Sequence, residues 1–117
     1  MSNQLEPREE IETFLDTPIE ENELDSANIV VLQAPYDGTT SYKPGTRNGP
    51  KAIIQASKHL EDYDIELNRD VSLVGIHTAP PINFTNESPQ DVICSVENSV
   101  ATFANSGKLI TLLGGEH

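Results

Sequence analysis

The first strong signal along the chain is Ile29-Val30-Val31-Leu32, a continuous apolar run that is β-branched at three of its four positions and suits a strand buried on both faces. Pro35 stops it, and Asp37-Gly38 and Pro44-Gly45 mark a long turn-rich loop that ends at Asn48. Gly49-Pro50 then sets a proline where a helix can start without losing a needed N–H, and Ala52, Ile53 and Ala56 recur at helical spacing. Leu60 to Leu67 alternates loosely and predicts an edge strand or an extended segment. Val71-Ser72-Leu73-Val74-Gly75-Ile76 predicts a second buried strand that exits into Ala79-Pro80-Pro81. Ser88-Pro89-Gln90-Asp91 combines a capping residue, a proline at the first helical position and an acid three residues on. Val92, Val96, Val100 and Phe103 then share one helical face, with Gly107 placed to cap the end. Lys108 to Leu113 is a third apolar run, so residues 71–113 spell strand, helix, strand and predict a right-handed crossover onto a parallel sheet. The fold class is α/β, and three such strands with only two helices predict an incomplete sheet.

Ahead of this lies a segment of different texture. Residues 1–25 carry nine acids against Arg8, and the remaining 92 residues hold only four of the twelve net negative charges. Within this acidic N-terminal arm Ile11, Phe14 and Leu15 are spaced to give one or two amphipathic helical turns ended by Pro18, and the plain expectation is a solvated tail docked by a few apolar residues. The chain therefore divides into the arm, 1–25, and a domain, 26–117. Its 117 residues can build one core. A net charge of −12 disfavours nucleic acid and anionic membrane surfaces as partners, and no run nears the roughly 18 apolar residues a membrane span needs. The N-terminus lacks the basic-then-apolar pattern of an export leader, and Cys94 is the sole cysteine, which together predict a soluble protein of the reducing cytoplasm.

The chemistry-bearing residues lie where open α/β sheets keep their ligands, past the carboxyl ends of the strands. Gly114-Gly115-Glu116-His117 follows the third strand, with glycines that let the backbone turn sharply and side chains of the kind that bind divalent transition metals. The loop after the first strand reads Pro35-Tyr36-Asp37-Gly38-Thr39, then Pro44-Gly45-Thr46-Arg47, then Gly49-Pro50 and a helix. This order and spacing closely resemble the first-strand loop of the ureohydrolase (arginase) family, its agmatinase branch in particular. Gly114 to His117 looks like that family's Gly-Gly-Asp-His segment, with Glu116 where aspartate is commoner.

The resemblance covers residues 28–117. It implies an arginase-like three-layer sandwich around a parallel sheet, of which only the N-terminal strands and helices are present here. It also implies a binuclear manganese site, with nickel as an alternative, that hydrolyses a small cationic guanidino substrate, agmatine first, to urea and an amine such as putrescine. Guanidinobutyrase, guanidinase and formimidoylglutamase activities stay open as alternatives, and a homo-oligomer is expected of the complete enzyme. One metal ligand carries over, His117. The family's later Asp-Ala-His-x-Asp and Asp-x-Asp segments would follow position 117, so the expectation is an N-terminal fragment that is inactive alone and of marginal stability, with no catalytic residue of its own.

Within the chain, Asp37, His59, His77 and Glu87 are the substitutes a scan for further ligands offers, with His77 the best placed and a structural role the plainer reading for it. Arg47 is expected to pair with an acid across its loop or from a neighbouring subunit, because a guanidinium is a poor partner for a cationic guanidino group. Cys94 is expected to be a small buried or half-buried side chain of the second helix. Two rival readings are a non-catalytic interaction module that associates through the acidic arm and an open sheet edge, and a small flavodoxin-like binding domain, for which strand–helix alternations are too few.

Overall fold

The computed structural model describes residues 12–38, 45–84 and 87–116. Strand β1, Ile29–Ala34, forms where the apolar run predicts it, and Val30, Val31, Leu32 and Gln33 are all buried. Helix α1, Gly49–Ser57, starts with its proline in the first turn as expected. Its buried face is Pro50, Ile54 and Ser57, at steps of four and three; Ile53 is 43% exposed, so the inward stripe lies about one residue round from the one expected.

Tyr63–Asp64 (β2) and Arg69–Asp70 (β3) pair antiparallel as a separate two-stranded hairpin, with Asn68 at a φ of 55° in its turn. The edge strand expected over Leu60 to Leu67 is thus a piece of this hairpin and no part of the main sheet.

The second buried strand is shorter and later than its apolar run. Val71–Val74 is a 3-10 turn whose N-terminus is capped by Asp70, which accepts from the Ser72 N–H at 2.9 Å and from the Ser72 hydroxyl at 2.6 Å. Gly75 then takes a φ of 89°, and only Ile76–Thr78 (β4) joins the sheet. Gly75 packs beside Ala27, where a Cβ would stand 3.1 Å from the Ala27 Cα. A local side-chain cap and a left-handed glycine together outweigh the β propensity of Val71, Leu73 and Val74, which are left on the surface.

Helix α2, Pro89–Ala104, is capped by the Ser88 hydroxyl, which accepts from the Asp91 N–H at 3.2 Å. Gly107, at a φ of 80°, closes the turn after it. Strand β5, Leu109–Gly114, completes a parallel sheet of order β4-β1-β5, with Ile29 opposite both Ile76 and Leu109. The two crossovers move in opposite directions from and across β1, so right-handed connections place α1 and α2 on opposite faces of the sheet. Val30 and Leu32 accordingly meet Val100 and Phe103 of α2, together with Ala79, Leu24 and Ile110. The expected α/β class with a parallel sheet is therefore observed.

The arm is more firmly attached than a solvated tail, from residue 12 onward. Phe14–Asp16 is one 3-10 turn in which Leu15 and Asp16 have φ of 62° and 56°, so among the described residues the expected amphipathic turns do not form; Ile11 lies outside them. Polar side chains make the attachment. The Phe14 N–H donates to Thr78 Oγ1 at 2.9 Å, the Leu15 N–H to Ser57 Oγ at 2.8 Å, and Asn22 Oδ1 accepts from the Ile76 N–H at 2.8 Å. Lys58 Nζ stands 3.0 Å from Glu12 Oε2, and the hydrogen bond from Lys58 holds the Glu12 carboxyl below its ordinary range. No described helix is long and apolar enough to cross a membrane.

Candidate functional site

At the carboxyl ends of β1 and β5 the two sequence motifs are brought together. The Tyr36 N–H turns back onto the Ala34 carbonyl at 2.9 Å, leaving the Tyr36 carbonyl to accept from the Glu116 N–H at 2.8 Å. Gly115 has a φ of 59° and no room for a side chain, since a Cβ there would collide with the Ala34 carbonyl and lie 2.8 Å from that of Tyr36. Gly49, at the start of α1, approaches the same turn; a Cβ there would stand 2.9 Å from the Gly114 carbonyl. Two of the glycines that look in sequence like turn punctuation are thus required by close approach of backbones.

The Tyr36 ring reaches the third strand end, meeting Phe84 of the β4–α2 loop edge to face at a centroid distance of 5.7 Å. Asp37 Oδ2 accepts from the Gly45 N–H at 2.8 Å, from Arg47 Nε at 3.2 Å and from the Arg47 N–H at 3.4 Å. These donors, the Gly45 N–H first, hold the Asp37 carboxyl below its ordinary range. The pairing of Arg47 with an acid across its own loop is as the sequence predicts.

The other candidates are dispersed. His77, on β4, is bound through Nδ1 to the Asn22 carbonyl at 3.1 Å, and it lines a cavity of about 480 Å³ between the arm, α1 and β4, together with Gln33, Ile54 and Lys51. Glu87 accepts from the Ser95 hydroxyl at 2.9 Å, and His59 is exposed at the end of α1. Cys94 is exposed on α2, and the expectation of a small buried or half-buried side chain is corrected: the inward stripe of the helix runs through Val92 and Val96. His117 lies outside the described residues. Among the described residues no three His, Cys, Asp or Glu side chains come together to hold a metal ion, so these residues do not by themselves fit a binuclear centre. Sequence reasoning missed Gln33 and Asn22, whose buried amides tie β1 to Ala79 and the arm to β4; nothing in their spacing sets them apart from surface residues.

Residues 27–117 match the sequence profile of the Arginase family. Over 96 residues the chain is 38% identical to the N(1)-aminopropylagmatine ureohydrolase of Synechocystis, covering 78% of this chain and 31% of that protein. The agmatine ureohydrolase of Thermoplasma volcanium superposes with a TM-score of 0.73 at 33% identity, covering 82% of this chain and 32% of that one. The formiminoglutamase of Trypanosoma cruzi, crystallised with Mn2+, shares the fold at a TM-score of 0.67 and 24% identity, over 80% of this chain and 32% of its own. The chain spans about a third of the length of the relatives it matches.

Proposed function

Because the chain belongs to the arginase family, whose profile it matches over residues 27–117, we propose that its full-length gene product is a ureohydrolase that releases urea from a small cationic guanidino compound. The observation that carries this reading is the seating of the Gly114–Glu116 turn on the Tyr36 carbonyl, which sets the residue before His117 at the carboxyl edge of the parallel sheet. In this reading His117 is a metal ligand and belongs, with the rest of residues 26–117, to the N-terminal part of the catalytic domain, while residues 1–25 are an arm. In this reading His117 would hold one ion of manganese, with nickel the alternative, which when bound would lower the pKa of a coordinated water; the T. cruzi relative crystallised with Mn2+ supports the choice. The chain's own contribution is to fix the turn, since a ligand on a loose loop gives poor metal geometry.

The substrate is agmatine or its aminopropyl derivative, and the product is urea with the matching polyamine. Similarity to an aminopropylagmatine ureohydrolase at 38% and to an agmatine ureohydrolase at 33% supports both. A net charge of −12 raises the local concentration of either cation. We place the protein in the cytoplasm, in polyamine metabolism, as a homo-oligomer without nucleic-acid or membrane partners.

The test is urea release by the full-length gene product with manganese, offered agmatine, N(1)-aminopropylagmatine and guanidinobutyrate in parallel. One of the first two should have the highest kcat/KM. Urea from guanidinobutyrate alone would overturn the substrate assignment, and no urea from any guanidino compound would overturn the function.

A further inference from the structure

Asp37 stands at the closing point of a ring of contacts around the Gly114–Glu116 turn. One wall of the ring is the end of β1, where the Tyr36 carbonyl holds the Glu116 N–H at 2.8 Å. The other wall is the start of α1, where Gly49 lies against the Gly114 carbonyl. Asp37 adjoins Tyr36 in sequence, and its Oδ2 reaches Gly45 and Arg47 just ahead of α1. The Asn48 N–H in turn donates to the Gly45 carbonyl at 3.0 Å, which carries the tie to the residue before Gly49.

We infer that Asp37 is a positioning residue: by joining the Tyr36 wall to the Gly49 wall through Gly45 and Arg47, it holds the Gly114–Glu116 turn, which precedes His117 in sequence. The physical argument is one of restraint. The turn lies in close approach to Ala34 and Tyr36 and to Gly49, with no side chain of its own at Gly114 or Gly115 to anchor it, so its position is only as definite as the separation of those two walls. Among the described residues the tie between the two walls runs through the Asp37 carboxylate. A charge-assisted acceptor shared by two backbone donors and a guanidinium holds one separation of the walls. The Asp37 side chain is 6% exposed and the Arg47 side chain 63% exposed, so Arg47 is the replaceable partner.

The effect on catalysis rests on the ureohydrolase reading; the effect on the turn does not, and the experiment separates them. Amide hydrogen exchange is followed in the full-length gene product for wild type, Asp37→Asn and Arg47→Met, reading the Glu116 N–H against the Asn105 N–H, which is bonded to Ala101 at the far end of α2. In Asp37→Asn the Glu116 amide should exchange at least about tenfold faster while Asn105 keeps its wild-type rate, and Arg47→Met should show a smaller increase in the same amide. The double variant should be no faster than Asp37→Asn alone, because both act through one carboxylate. Where wild type releases urea, kcat/KM should fall in the same order. Unchanged exchange at Glu116 in Asp37→Asn would overturn the inference, as would an equal rise at Glu116 and Asn105, which marks a purely structural role. If Asp37→Asn does not fold, the Arg47→Met comparison decides in the same way. A wild type that releases no urea defeats the functional reading and leaves the exchange result to stand or fall alone.

Discussion

Gly115 and Ala34 lie at the ends of neighbouring parallel strands in such close approach that a Cβ on Gly115 would collide with the Ala34 carbonyl. The contact joins the two motifs of the chain, since Ala34 leads into the Pro35-Tyr36-Asp37-Gly38 loop and Gly115 into Glu116 and His117. Gly115→Ala meets two costs at once, a left-handed φ of 59° and this collision with backbone that cannot step aside. A loss of about 2 kcal/mol or more is expected, read as a lowered midpoint in denaturant unfolding of the full-length gene product. A midpoint unchanged from wild type would show that the strand ends are further apart than described.

Docking of the arm depends on single hydroxyls. Ser57 is buried, donates to the Ile54 carbonyl at 2.6 Å and accepts from the Leu15 N–H at 2.8 Å. Ser57→Ala strands that N–H and should cost about 1–3 kcal/mol, with faster proteolysis within residues 12–25. Proteolysis at the wild-type rate would mean that the arm is held without Ser57.

Acid should loosen the same regions. Glu12 and Asp37 both have carboxyls held below their ordinary range, by Lys58 and by the Gly45 N–H respectively. A depressed folded pKa binds fewer protons than the unfolded chain, so its stabilisation is complete above the unfolded value and is lost as pH falls through the folded one. Stability should be flat in these groups above about pH 5 and decline below about pH 4, and Asp37→Asn should flatten part of that decline. An acid limb of equal slope in wild type and variant would contradict the assignment. Added salt should weaken the Glu12–Lys58 contribution, both side chains being partly exposed.

Helix α2 offers a local control. Ser88→Ala removes the acceptor of the Asp91 N–H and should cost about 1 kcal/mol without altering exchange at Glu116. A change at Glu116 would show that α2 and the motif turn are coupled.

Much of this architecture can be read in the chain because its signals are local and redundant. Proline, capping hydroxyl and a 4-4-3 apolar spacing all mark α2, and the unbroken β-branched run of β1 matches a strand covered on both faces. The same reasoning misplaces β4, because the Asp70 cap and the positive φ of Gly75 act over two or three residues within an apolar run whose composition favours a strand. It also misjudges the arm, where docking relies on Thr13, Thr17 and Asn22, polar residues whose burial depends on partners more than thirty positions away or on folded loops of the arm itself. The candidate site was legible through its motifs; the ring that Asp37 closes was not, apart from the pairing of Arg47 with an acid, because it is defined by backbone carbonyls and absent Cβ atoms.

Urea release from agmatine and N(1)-aminopropylagmatine, measured before chelation, after it, and after manganese is restored, bears on both the proposed metal-dependent ureohydrolase activity and the proposed ligand role of His117. The full-length gene product should release urea from at least one substrate, lose that activity on chelation and regain it with manganese, with His117→Ala left far below wild type at every manganese concentration. Urea release that survives chelation would contradict the first proposal, and urea release that His117→Ala retains in full would contradict the second.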